Sequence, residues 1–237
     1  MVDRGELRGA VYRTDVDALA RLLASGREWP VEALQLLGDA VLMAVDALER
    51  EVEPAARWCV RELRDRGWEG DDELATQLEA AFGWTPAPLL RWVPVDLEEL
   101  AAVLEGDPSR GGGRVDLRTG EVWPNSLFDI FEETEDDDEV EEDDDGEHWL
   151  WVHGEGSRAG YRDLELFIDL VEDPRLAERL ARAIQGRGAF RRFKDVLADS
   201  PDLLDRWYGF TDERQRGRAR AWLAAEGYAP DPNGTRP

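Results

Sequence analysis

The sequence is poor in the residues from which cross-links and metal centres are built. Its 237 residues include one cysteine, Cys59, two histidines, His148 and His153, and a single lysine, Lys194. One cysteine excludes an intrachain disulfide and any multi-thiolate metal site, and it fits a reducing compartment. His148 and His153 are five apart in HWLWVH, a strand-like run in which an odd separation turns side chains to opposite faces and keeps them from sharing a metal. Neither a metal site nor a cofactor is expected. No apolar run approaches the ~18 residues that a membrane helix needs, and MVDRGELRGA has no apolar stretch of the kind that begins a secretion signal. The expectation is a cytoplasmic protein without membrane contact. Positive charge is also scarce: 29 Lys plus Arg stand against 54 Asp plus Glu, a net charge of −25. A constitutive DNA coat or a basic membrane-surface protein, whose affinity rests on excess positive charge, is disfavoured.

What the chain does have is enough apolar content, 42% of its residues, for one or two modest cores. The pattern predicts an α+β protein, predominantly helical: a helical array over 1–90, and over 95–228 a domain with a small antiparallel sheet and four or five helices. In the first part Leu7, Val11, Val16, Leu19, Leu22 and Leu23 recur three and four apart, as in a helix pair. A helix through Leu34 to Leu48, another opened by Pro54 and closed by Gly67, and a third capped by Asp71 or Asp72 follow. LRGAVYRTDVDALARLLASG resembles the helical part of an ankyrin repeat, without that family's Thr-Pro-Leu-His opening; a generic helical array is the default. TPAPLLRWVP, with three prolines in ten positions, reads as the domain boundary.

Beyond it, Asp96 caps a helix to about Glu105, and RVDLRTGEVW reads as a hairpin turning at Gly120, with HWLWVH as a third strand beside it. Between these strands EETEDDDEVEEDDDGE, residues 132–147, carries thirteen acids and no base, and is expected to be a solvated loop. Helices are expected over 161–171, after Pro174, after Gly188, from Pro201 through Trp207, and from a cap at Asp212, with 229–237 as a frayed tail. In order, VDLEELAAVLEG, DLRTGEVW, YRDLELFIDLV, GRGAFRRFKDVL, LLDRWYGF and RARAWLAAEGY resemble blocks of the bacterial uncharacterised protein family 0158, over residues 95–228. That resemblance implies an architecture; the family has no assigned activity and supplies no catalytic residues.

Three functions follow from the residues. The first is a non-enzymatic module that binds a protein or an anionic ligand. Its candidate anion site is the glycine turn Gly186, Arg187, Gly188 with Arg191, Arg192 and Lys194, where free amides at a helix start would add to formal positive charge. The competing reading makes both glycines a helix-helix turn, places Phe190 and Phe193 in the core, and pairs the arginines with nearby carboxylates. The second is nucleic-acid binding. Arg182 to Arg220 holds ten bases and six acids, Trp207 and Tyr208 would stack on bases, and the acidic loop would act as an internal competitor. The third, a metal-dependent hydrolase, would use Glu165 and Asp169 at i and i+4 on one helix.

Overall fold

The protein is described here as a computed structural model covering residues 3–24, 29, 31–110, 112–125 and 148–234. The acidic run 132–147 lies outside the described residues.

Four helices build the first part of the chain: α1 (Arg4–Tyr12), α2 (Val16–Leu23), α3 (Leu34–Arg66) and α4 (Asp71–Ala81). Asp3 and Asp15 start α1 and α2 by accepting the amides of Glu6 and Ala18, which satisfies donors that a first helical turn leaves unpaired. The helices expected through Leu48 and from Pro54 are two segments of α3 that meet at a kink: Leu48, with φ −142°, is non-helical and divides them, and Pro54 lies a few residues into the second segment. Leu19, Leu34, Leu37, Val41, Cys59, Leu63, Leu74 and Leu78 form one core among these helices. Burial pushes the Cys59 thiol well above its usual pKa, which is the state of a packing residue and not of a nucleophile.

The segment read as the domain boundary contains a strand, β1 (Arg91–Val93). After it come α5 (Leu97–Leu104), β2 (Gly113–Asp116), β3 (Val122–Pro124) and β4 (Trp149–Val152). Strands β3 and β4 each pair antiparallel with β2, which gives the order β3-β2-β4. The hairpin turns as its residues dictate. The Asp116 carboxylate accepts the amides of Arg118 and Thr119, and Gly120 takes φ +78°.

The remaining helices are α6 (Arg158–Asp169), α7 (Pro174–Ala183), α8 (Ala189–Leu197) and α9 (Pro201–Ala225), followed by β5 (Tyr228–Pro230). The stretch 229–234 is not frayed, because β5 pairs in parallel with β1, Trp92 opposite Ala229. Nor are there two helices after Pro201. Asp212 caps nothing; it sits inside the 25-residue α9 and pairs with Arg4.

Two of the three hydrophobic clusters have residues on α9, and the third, among α1 to α4, lies across its polar middle. Trp207 and Phe210 join α6, α7 and α8, through Leu164, Phe167, Leu180, Phe193 and Leu197. Ala219 and Leu223 join the cluster of β1, α5 and the sheet. The polar middle of α9 lies against α3 and α4. Arg220, fully buried, donates to Gln35 at 3.0 Å, Gln77 at 2.8 Å and Asp39 at 2.5 Å. Arg216 donates to Asp39 at 2.9 Å and Glu98 at 2.6 Å, while Glu213 accepts from the amides of Gln35 and Leu36 and from Arg66. Burial alone would lower the Arg216 guanidinium; Asp39 and Glu98 outweigh it and raise it, so it stays charged.

Contact at Gly217 is close enough to leave no room for a side chain. A Cβ there would lie 2.1 Å from the Glu69 carbonyl oxygen in the α3–α4 turn. Gly217→Ala is therefore expected to lower stability in a denaturant titration, although alanine in place of helical glycine ordinarily adds about 1 kcal/mol. Arg220→Met should cost about 3–5 kcal/mol in the same measurement, because it strands Gln35, Gln77 and part of Asp39 in the interior.

Candidate functional site

The glycine turn that the sequence singles out joins α7 to α8. Gly186 and Gly188 both have φ +78°, a conformation that side chains rarely adopt. Arg192 folds back over the turn and spends its donors on carbonyl oxygens: Nε to Ala183 at 2.9 Å, one terminal nitrogen to Gln185 at 2.7 Å, and the other to Arg187. Its guanidinium thus closes the end of α7, where unpaired carbonyls attract a cation. Arg187 is exposed. Arg191 is 89% exposed and leans along α8 toward Asp195 at 3.9 Å, and Lys194 points at the Tyr208 ring at 5.9 Å. Arg191, Arg192 and Lys194 therefore take separate directions. Ala189 and Phe193 are buried, whereas Phe190 is partly exposed against Gly160.

Trp207 is 3% exposed, with its ring packed against Phe167, Phe193 and Phe210, so its faces are already occupied. Tyr208 beside it is exposed. The basic run of α9 is internal. Arg214 and Arg218 both bind Asp163 at 2.9 Å, Arg218 also binds Glu105, and Arg216 and Arg220 bind the carboxylates named above. Arginine at i, i+2, i+4 and i+6 looks like a solvated stripe, yet it faces carboxylates on two sides. Glu165 and Asp169 are exposed on α6, and among the described residues no group of three or more His, Cys, Asp or Glu is arranged to hold a metal ion.

A cleft of about 190 Å³ opens where α9 passes between the α3–α4 turn and α5. Leu104, Ala159, Ala221 and Trp222 supply apolar walls, and three carboxylates stand around them: Glu69 from the turn, Glu105 from the end of α5, and Glu155 from the segment after β4. Amides of Glu155 and Gly156 donate to the carbonyls of Leu104 and Gly106, at 2.7 and 3.1 Å, and fix that segment against α5. Glu105 is held by Gln215 at 2.7 Å and by Arg218. Glu69 and Glu155 are exposed. None of these residues is signalled by spacing, because they come from four segments that only the fold brings together.

An uncharacterised protein family, UPF0158, has a family model that matches residues 127–231. Over those residues the chain is similar to that family. UPF0158 protein PA5073 of Pseudomonas aeruginosa is 29% identical over 134 residues, which cover 56% of this chain and 84% of that protein. No solved structure matches. The matched region contains α6 to α9 with every arginine of the α9 stripe. Asp39, Gln35, Gln77 and Glu98, which satisfy Arg216 and Arg220, precede it.

The contact of α5 with α9 generates a pH prediction. Burial would raise the Glu98 carboxyl, but Arg216 and Arg8 outweigh it and hold it below the usual carboxylate range. Its stabilising contribution is present above the unfolded carboxylate pKa and lost as pH falls through the lowered folded value. Glu98→Gln is expected to flatten that acid limb in thermal melts taken across pH, and an unchanged limb would remove Glu98 as its source.

Proposed function

We propose that this protein is a non-enzymatic binding module whose ligand presents an ammonium or guanidinium group on an apolar stem, held in the cleft between α5 and α9. The observation that carries this reading is the cleft's make-up: the exposed carboxylates of Glu69 and Glu155 stand beside apolar walls that include Trp222, while Glu105 is already paired with Arg218, which also lines the cleft. Carboxylates there accept the cation's N–H groups, and the indole and alanines take the stem. Net charge of −25 draws cations toward the whole molecule. Such a group is carried by a basic side chain of a partner protein or by a free amine, and the chemistry of recognition is shared.

The glycine turn supports an anionic ligand less well, because Arg192 is committed to carbonyls and its neighbours diverge. Nucleic-acid binding through α9 would require outside the arginines that are inside.

The test uses n-butylguanidinium and n-butylammonium, titrated into the isotope-labelled full chain and followed by amide and indole NMR shifts. Saturable shifts at Leu104, Ala159 and Trp222 are expected, weakened about three- to tenfold by Glu155→Gln and again by Glu69→Gln. Shifts that never saturate, or affinities indifferent to both substitutions, would refute the cleft. The same guanidinium in a short peptide separates the two sources: tighter binding points to a protein, and weaker binding to a free amine.

A further inference from the structure

On the opposite side of α4 from its contact with α3, two shallow clefts run into each other. One, of about 150 Å³, lies between Gln77, Ala80 and Ala81 of α4 and Pro88, Leu90 and Trp92 ahead of and within β1. The other, of about 210 Å³, is bounded by Asp72, Glu73 and Thr76 together with the same Pro88 and Leu90. They form one groove, apolar at the β1 end and acidic at the start of α4. Leu89 stands clear of the protein surface beside it, and Trp92 is 53% exposed.

Gln77 is 2% exposed and belongs to the network around Arg220. Its Oε1 accepts from Arg220, whereas its Nε2 is the one polar side-chain atom of that network without an acceptor among the described residues. A buried donor left unpaired costs about 1–3 kcal/mol, and this one is enclosed in the interior, out of reach of anything lying in the groove. An ordered water would answer that need. Water does not account for a large apolar wall left open next to an acidic pair.

We propose that this groove is the docking site for an extended segment of a partner protein. A basic side chain of that segment lies against Asp72 and Glu73, and an apolar side chain lies between Leu90, Trp92 and Ala80. The complementarity of charge at one end and of apolar surface at the other selects a basic residue near an aliphatic one in the partner. This site is separate from the carboxylate cleft at α5 and α9, and it stands whether or not that cleft binds amines.

Random peptides displayed on phage and selected on the full chain test the proposal. Enriched sequences should place Arg or Lys within a few positions of Leu, Ile or Val. Synthetic versions should bind about tenfold more weakly to Trp92→Thr and to Glu73→Lys, and equally well to Glu155→Gln. Thermal melts of each variant establish that the fold is retained, and the Trp92 indole resonance should move on binding to the unmutated chain. Failure to enrich any such motif, or peptides that bind Trp92→Thr and Glu73→Lys as tightly as the unmutated chain, would overturn the groove. Loss of binding to Glu155→Gln alone would transfer these peptides to the carboxylate cleft and would equally end this proposal.

Discussion

The fold depends on one stripe of buried ion pairs. Arg216 and Arg220 reach from α9 into α3 and α5, and Arg214 and Arg218 reach toward α6, with Asp39, Glu98, Asp163 and Glu105 waiting for them. Burying a guanidinium is tolerable only when its donors meet acceptors in good geometry, so each pair constrains where the neighbouring helix sits. Apolar packing alone would leave the three clusters free to slide along α9. The pairs, together with the backbone contact at Gly217, fix the register in which those clusters meet.

This use of arginine draws acids inward too. A chain with 29 bases for 54 acids spends several of its guanidiniums in the interior and at helix ends, and those in the interior meet Asp39, Asp71, Asp163 and Glu213 there, so the excess of acids is left facing water. Both binding sites proposed for this protein have carboxylates at their rims, and both are walled by alanine, leucine and tryptophan. Their common origin is packing: α9 and α4 are covered on one side and bear small residues on the other, which leaves troughs along their length.

Much of the architecture could be read from residue patterns. Asp3, Asp15, Asp96 and Asp173 each accept an amide at the start of a helix, and Gly120 turns the hairpin, because caps and tight turns are decided by a few adjacent residues. The pairing of β1 with β5 was not legible. Each is three residues long, and their partnership joins positions more than a hundred residues apart. The continuity of α9 was hidden for a different reason: RQRGRAR carries no apolar period, and periodicity registers a buried helix only when burial is apolar. The same blindness made the arginines of that run look available to a ligand. The cleft residues Glu69, Glu105, Glu155 and Trp222 have no local signature, since their meaning comes from tertiary proximity.

The position of α9 in the chain bears on how the protein is made. During synthesis α3 and α4 leave the ribosome well before α9, and with them Asp39, whose cationic partners Arg216 and Arg220 have not been translated. Arg220 meets Asp39 across 181 residues of sequence. Long-range closure of this kind is slow, and a nascent chain halted short of the last helix leaves that carboxylate without its partners and with leucines beside it. The core shared by α3, α4 and α9 therefore closes only once the last long helix has emerged, a delay that a protein with its ion pairs between neighbouring helices would escape.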